Sequence, residues 1–325
     1  MSEVSFADLA QIMRGFQESR VLLTAVELDL FTAVGQGATA SEAARRCGTD
    51  PRATEALLHA VAALGALVKK DGIFYNTAET ARYLVADSPD SARAAMMHTV
   101  HLWRRWDALT GCVRSGAPAP RAEGGAGDAE WTRSFIAAMH RNAEMHAPAM
   151  VRAVGSAGVR RLLDIGGGSG AYSIAFAKSA PELYAEVFDL APVVEIARGH
   201  IAQAALADRV TARTGDLRTD KFGSDYDLIL LSAICHMLGP EENQDLFRRC
   251  YRALGAGGRL VVRDFILEPD KTAPKFAALF AINMLVGTRN GSTYTEAEYR
   301  SWLAAAGFAE CVRPDPAGDL LIARR

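Results

Sequence analysis

The chain has 325 residues, 50% of them hydrophobic and 23% charged, and its formal net charge is −2. That composition describes a folded chain of about two domains and excludes disordered and collagen-like classes. The near-neutral balance supplies no strong positive field, so nucleic acid is not an expected partner, and no stretch approaches the roughly 20 uncharged apolar residues of a membrane span.

The start, MSEVSFADLAQIMRGF, carries no signal-peptide pattern. Ala10 to Val34 places apolar groups at helical spacing. Thr39 then caps SEAARRCG, a short helix with a Gly stop, and Asp50-Pro51 opens RATEALLHAVAALGAL. Two short apolar runs follow around Asp71-Gly72, a hairpin signal because both residues tolerate positive φ. Two short helices and a hairpin make a winged helix. Its second helix carries only Arg52 as a cation, too little to read DNA, so residues 1–90 are expected to pack or dimerise. Residues 91–157 read as a helical connector. Within it, 114–130 is rich in Gly, Pro and Ala and reads as a flexible loop before a helix from Trp131 to Val154.

From 158 to 325 apolar runs alternate with helical segments. The runs are Arg161–Ile165, Ala185–Leu190, Arg209–Arg213, Tyr226–Ser232 and Arg259–Ile266. The alternation predicts an α/β fold, a Rossmann-like doubly wound parallel sheet. The last residues, FAECVRPDPAGDLLIARR, predict an antiparallel C-terminal hairpin.

Three pieces of chemistry fall at the carboxyl ends of successive strands. The first is LLDIGGGSG, whose Gly166, Gly168 and Gly170 permit a tight turn and close ligand approach. Its G-x-G-x-G spacing differs from the dinucleotide fingerprint, which disfavours a nicotinamide oxidoreductase. Asp164 before the turn suits an ammonium better than a pyrophosphate. The second is Asp189, placed to accept ribose hydroxyls, with Leu190 beside it. The third is Asp216-Leu217, an acceptor for an adenine amino group and an apolar contact for its ring. Each acid alone could be a loop acid or a cap; three in order define a nucleoside site.

Together with VELDLFTAV, the segment LILLSAICHMLGPEENQDLFRRCYRALGAGGRLVV and YTEAEYRSWLAAAGF, these motifs resemble the S-adenosylmethionine-dependent small-molecule O-methyltransferases. The likeness is to the plant type and its bacterial natural-product branch, over nearly the whole chain. The resemblance implies S-adenosylmethionine as cofactor, a small-molecule acceptor and a homodimer through the N-terminal domain. By position, Gly166 falls at the methionine end, Asp189 on the ribose acid, and Asp216 and Leu217 on the adenine pair. Ser232 stands where plant enzymes have a Lys near the adenine. His236 falls on the general base, Asp264 on a Glu that orients it, and Met139 on a Met that holds an aromatic acceptor. Two departures stand out. The family's His-Asp-Trp is His236-Met237-Leu238 here, and Thr293 occupies the place of a second Glu.

Imidazole suits the removal of a phenolic proton, and Asp264, on the fifth strand, would hold its tautomer. Trp103 and Trp106 lie three apart on one helical face and read as core or as an acceptor wall. The helix within Ala273–Gly287 offers Phe276, Phe280, Asn283 and Met284 as acceptor lining. Asn142 is a further candidate for the acceptor side; His140 and His146 flank it at a spacing that does not join them on one helical face, and no metal is expected. The cysteines, at 47, 112, 235, 250 and 311, include no CxxC pair; a reducing, cytoplasmic setting is expected. The alternatives are C- or N-methylation on the same scaffold, or a non-catalytic winged-helix regulator that senses a ligand.

Overall fold

The computed structural model describes residues 4–120 and 126–325. The chain forms two compact units, residues 1–103 and 104–325.

The first unit contains α1 (Phe6–Arg14), α2 (Phe16–Glu27), α3 (Leu30–Val34), α4 (Ala40–Cys47) and α5 (Pro51–Ala63). The hairpin β1 (Leu67–Lys70) and β2 (Ile73–Asn76) follows, then α6 (Ala78–Tyr83) and the start of α7 (Arg93–Asp107). The single helical stretch expected over Ala10–Val34 is three helices. The breaks fall at Gly15 and at Asp29, which adopts a left-handed φ of 56°. The sequence caps form as expected. Thr39 Oγ1 accepts from the Glu42 amide while Glu42 reaches back to the Thr39 amide, and Asp50 accepts from the Ala53 amide. Leu67 to Lys70 pair antiparallel with Asn76 to Ile73. The unit's core gathers Leu30, Phe31, Val34, Leu58, Val61, Leu67 and Phe74. By contrast, no residue of α1 is buried, and Phe6, Ile12 and Met13 are exposed.

In the second unit come α8 (Leu109–Ser115), α9 (Ala126–Val154), β3 (Arg161–Ile165), α10 (Ala171–Ser179), β4 (Tyr184–Asp189) and α11 (Ala191–Gln203). Next are β5 (Val210–Thr214), β6 (Tyr226–Ser232), α12 (Pro240–Ala253), β7 (Leu254–Arg263), β8 (Ile266–Leu267) and α13 (Lys275–Gly287). The chain closes with β9 (Tyr294–Thr295), α14 (Glu296–Ala306), β10 (Glu310–Val312) and β11 (Leu320–Arg324). The expected loop over 114–130 is corrected at both ends. Helix α8 reaches Ser115 and α9 starts at Ala126, five residues before Trp131; part of the expected loop, 121–125, lies outside the described residues. The segment expected as a connector, 91–157, is divided between the two units.

The sheet runs β10-β11-β7-β6-β3-β4-β5. Strands β5, β4, β3, β6 and β7 are parallel, and β11 joins β7 antiparallel as the expected hairpin. Strand side chains alternate between two cores. Ile229 and Leu231 face Phe247, Trp302 and Leu303, while Leu228 and Leu230 face Phe176, Val187 and Val261. Each such side chain contributes about 1.5–3 kcal/mol relative to exposure. After β3 the chain builds outward through β4 and β5, then returns to place β6 on β3's other side. The order therefore reverses between β3 and β6, where ligands settle against the carboxyl ends of open α/β sheets. The glycine-rich turn follows β3 and His236 follows β6, so this reversal brings both to one edge. Among the described residues no helix is long and apolar enough to cross a membrane.

Candidate active site at the carboxyl edge of the sheet

The turn after β3 is built by backbone that only glycine adopts freely. Gly166, Gly168 and Gly170 have φ of 67°, 58° and 77°. A Cβ on Gly166 would lie 2.2 Å from Ile234 Cδ1, so the turn and the segment after β6 approach closely. The Gly166 amide donates to the Phe188 carbonyl at 2.8 Å, fastening the turn to β4.

Two acids stand beneath it. Asp164 is 1% exposed, and Ser173 Oγ donates to its Oδ2 at 2.9 Å. Burial raises its carboxyl to about 7; the Ser173 bond acts the other way, and the Asp189 charge adds to the rise. Asp189 accepts from the Gly168 amide at 2.9 Å and the Leu190 amide at 2.7 Å. Burial raises its pKa and these two bonds restrain the rise. Asp216 accepts from the Arg218 amide at 2.8 Å, and Leu217 packs against the core beside it. Leu190 is exposed next to Asp189, and Ser232 ends β6 half-buried.

Past β6 the chain turns through Ala233, at a φ of 58°, into the 3₁₀ turn Cys235–Met237. His236 is buried there. Its amide donates to Asp264 Oδ2 at 3.0 Å, and its Nδ1 lies 2.6 Å from Asp264 Oδ1. Asp264 lies just beyond β7, not within the strand as the sequence pattern implied, because the strand ends at Arg263. The Phe265 amide also donates to Asp264 Oδ1 at 2.8 Å. Burial alone would raise the Asp264 carboxyl; His236 and the two backbone amides more than reverse this and hold it below the usual range. An ionised carboxylate only accepts, so Nδ1 carries the proton and Nε2 is the basic nitrogen.

Aromatic rings cover the imidazole. The Phe280 ring stands edge to face with it, centroids 4.9 Å apart, and the Phe265 centroid lies at 5.5 Å. Phe276 and Phe265 meet edge to face at 5.2 Å. On the same helix, Asn283 Oδ1 accepts from Trp106 Nε1 at 3.0 Å. Thr293, at the family's second acid, is buried and donates to the Ala277 carbonyl at 3.0 Å. It ties α13 in place and brings no charge to His236.

The structure thus brings together His236, Asp264 and Phe280, and separately Gly166, Gly168, Asp164 and Asp189. It joins Trp106 to Asn283. Trp103 belongs to the first unit, where Arg20 lies over its ring. Asn142 is exposed on α9, Met139 half-buried, and Met284 buried on α13. Sequence reasoning missed Phe265, although it directly follows Asp264, and Ser173, whose place one helical turn into α10 was the available signal. Among the described residues no group of three His, Cys, Asp or Glu could hold a metal.

This is the architecture of a methyltransferase. The O-methyltransferase domain family matches residues 110–309, and the O-methyltransferase dimerisation domain matches 10–87. The chain belongs to this family, enzymes that take their methyl group from S-adenosylmethionine. It is 34% identical over 316 residues to a 3-hydroxy-5-methyl-1-naphthoate 3-O-methyltransferase of Streptomyces sahachiroi, covering 93% of this chain and 89% of that one. It is 28% identical over 314 residues to an L-tyrosine C(3)-methyltransferase of Streptomyces lavendulae, covering 92% and 86%. Among solved structures, PigF with SAH superimposes with a TM-score of 0.90 at 28% identity, over 99% of this chain and all of the other.

Proposed function

We propose that this S-adenosylmethionine-dependent enzyme methylates a hydroxyl of an aromatic or polyketide-like natural product, with His236 as general base. The buried His236–Asp264 pair at the sheet's ligand edge carries this reading. The naphthoate and polyketide O-methyltransferases among its relatives support the acceptor class.

The residues of the turn fit the cofactor. Gly166 lets the turn close on Ile234 at the methionine end, and Gly168 leaves room for close approach. Asp164 takes the methionine ammonium, Asp189 the ribose hydroxyls, and Asp216, Leu217, Leu190 and Ser232 the nucleoside end. The bound cofactor supplies a methyl group already activated on a sulfonium. The chain's task is to orient a hydroxyl and remove its proton. His236 Nε2 takes that proton, and Asp264 balances the imidazolium that results. Phe265, Phe276 and Phe280 offer flat apolar faces to an aromatic acceptor and keep water from the base. Met139, Asn142, Trp106, Asn283 and Met284 complete the acceptor side.

A second reading has its own support. A deprotonated phenol is nucleophilic at oxygen and at the adjacent ring carbon, and one relative is named a tyrosine C-methyltransferase. Mass spectrometry of products made with labelled methyl distinguishes the two.

Helix α1 buries no residue in its own unit. A short helix is marginal in water without cover. With the matched dimerisation domain, this supports a homodimer through the N-terminal unit rather than a DNA-reading surface.

Calorimetric titration with S-adenosylhomocysteine tests the donor site. Micromolar binding by the wild type, lost in Asp189→Ala, is expected; no binding by folded wild type would overturn the reading. A screen of phenolic acceptors, with His236→Ala as control, then tests the base.

A further inference from the structure

We propose that His140 is a positioning residue for the methyl donor: through Ser169 it holds the glycine-rich turn in its ligand-ready shape. The inference rests on the reading that this turn binds the donor. From Gly166 to Gly170 the sequence is Gly-Gly-Gly-Ser-Gly, so beside the bond from the Gly168 amide to Asp189, Ser169 is the one side chain the turn itself offers as a handle. Glycine loses more conformational freedom on ordering than any other residue, which makes such a handle valuable. A Cβ on Gly168 would meet nothing nearer than Ile136 Cδ1 at 3.9 Å, so packing alone does not fix the turn's outer end.

Ser169 is 4% exposed, and its Oγ lies 2.8 Å from His140 Nδ1. The other ring nitrogen, Nε2, lies 3.3 Å from Glu144 Oε1, one helical turn further along α9. A carboxylate only accepts, so Nε2 carries the hydrogen. In the neutral ring Nδ1 is then the acceptor and the Ser169 hydroxyl donates. The plane of the imidazole is set by His200 on α11, stacked at 3.8 Å between centroids and 30° between planes. Burial suppresses the charged form of His200. Helices α9 and α11 thereby grip one ring that grips the turn. The residue before His140 is Met139, so the helix proposed to hold the acceptor also sets the donor's cradle.

The test is calorimetric titration of the full chain with S-adenosylhomocysteine. His140→Ala and Ser169→Ala should each raise Kd about fivefold, the effect of losing one hydrogen bond. The double variant should bind no worse than either single one, because both remove the same bond. His140→Asn, whose amide can accept near the Nδ1 position, should stay within about twofold of wild type. That rescue would not follow if His140 merely filled space. If His140→Ala does not fold, Ser169→Ala reads the same bond from its other end. Wild-type affinity in both single variants, or independent multiplying losses in the double, would overturn the inference. Failure of the wild type to bind would instead overturn the donor-site reading, and this inference with it.

Discussion

At the scale of single residues, the site depends on where charge is tolerated. His236 faces Asp264 in a nearly dry setting, so the carboxylate has one task, to steady the ring and its charge. Replacing His236 by Asn should lower kcat about 10²–10⁴-fold, the usual worth of general acid–base catalysis. S-adenosylhomocysteine affinity, measured by calorimetry, should not change. Asp164 makes a different prediction. Its carboxyl is raised to about 7, so near pH 6 it is mostly protonated, and the ammonium proposed to bind beside it would favour its ionised form. Affinity for S-adenosylhomocysteine should rise between pH 6 and pH 8, with proton release seen when buffers of different ionisation enthalpy are compared; Asp164→Asn should flatten that rise. The sign for folding is opposite. A raised carboxyl binds its proton more tightly in the folded state, so Asp164's contribution to stability is whole below about pH 4 and is lost as pH climbs to about 7.

At the scale of elements, the turn that carries His236 is held by its neighbours' backbone. Asn243 donates to the Cys235 carbonyl at 2.9 Å and the Leu238 carbonyl at 3.2 Å, and the Tyr294 hydroxyl donates to the Leu238 carbonyl at 2.5 Å. Gly291 faces the same turn, and a Cβ there would fall 2.4 Å from the His236 carbonyl oxygen. Backbone cannot yield as a side-chain tip does. Gly291→Ala should therefore lower kcat at least tenfold while leaving S-adenosylhomocysteine affinity intact, a split that steady-state kinetics and calorimetry together resolve.

These contacts also mark how far sequence reading reached. The hairpin at Asp71-Gly72, the caps at Thr39 and Asp50, and the strand Tyr226–Ser232 were legible because each carries its signal locally, as a turn pair, a cap or an unbroken apolar run. The start of α9 was not, since Gly and Ala before Trp131 resemble a loop locally. Nor was the start of β7 at Leu254. There Gly255 to Gly258 look like a helix stop, yet Gly258 serves a close approach in the sheet: a Cβ on it would lie 2.8 Å from the Tyr226 carbonyl oxygen. A partner distant in sequence decides such cases. The order of acids at the strand ends was readable, whereas the His140–Ser169 bond joins residues that no motif links.

At the scale of the whole molecule, the two units divide the work between assembly and chemistry. An N-terminal helix with Phe6, Ile12 and Met13 exposed needs a partner surface. Light scattering should give twice the chain mass at micromolar concentration. Replacing those three residues by Ser should shift the protein toward the monomer, with little loss of affinity for S-adenosylhomocysteine.

The buried cysteines turn the molecule into its own stopwatch. Cys235 and Cys250 are sealed in the core, and burial first of all pushes both thiols up, far from the thiolate that alkylating reagents attack. Cys235 directly precedes His236, so it becomes reactive only when the turn that carries His236 opens. The rate at which a maleimide marks Cys235, followed by peptide mass spectrometry, therefore times that opening, and a well-fitting acceptor would be recognised by how far it slows the mark.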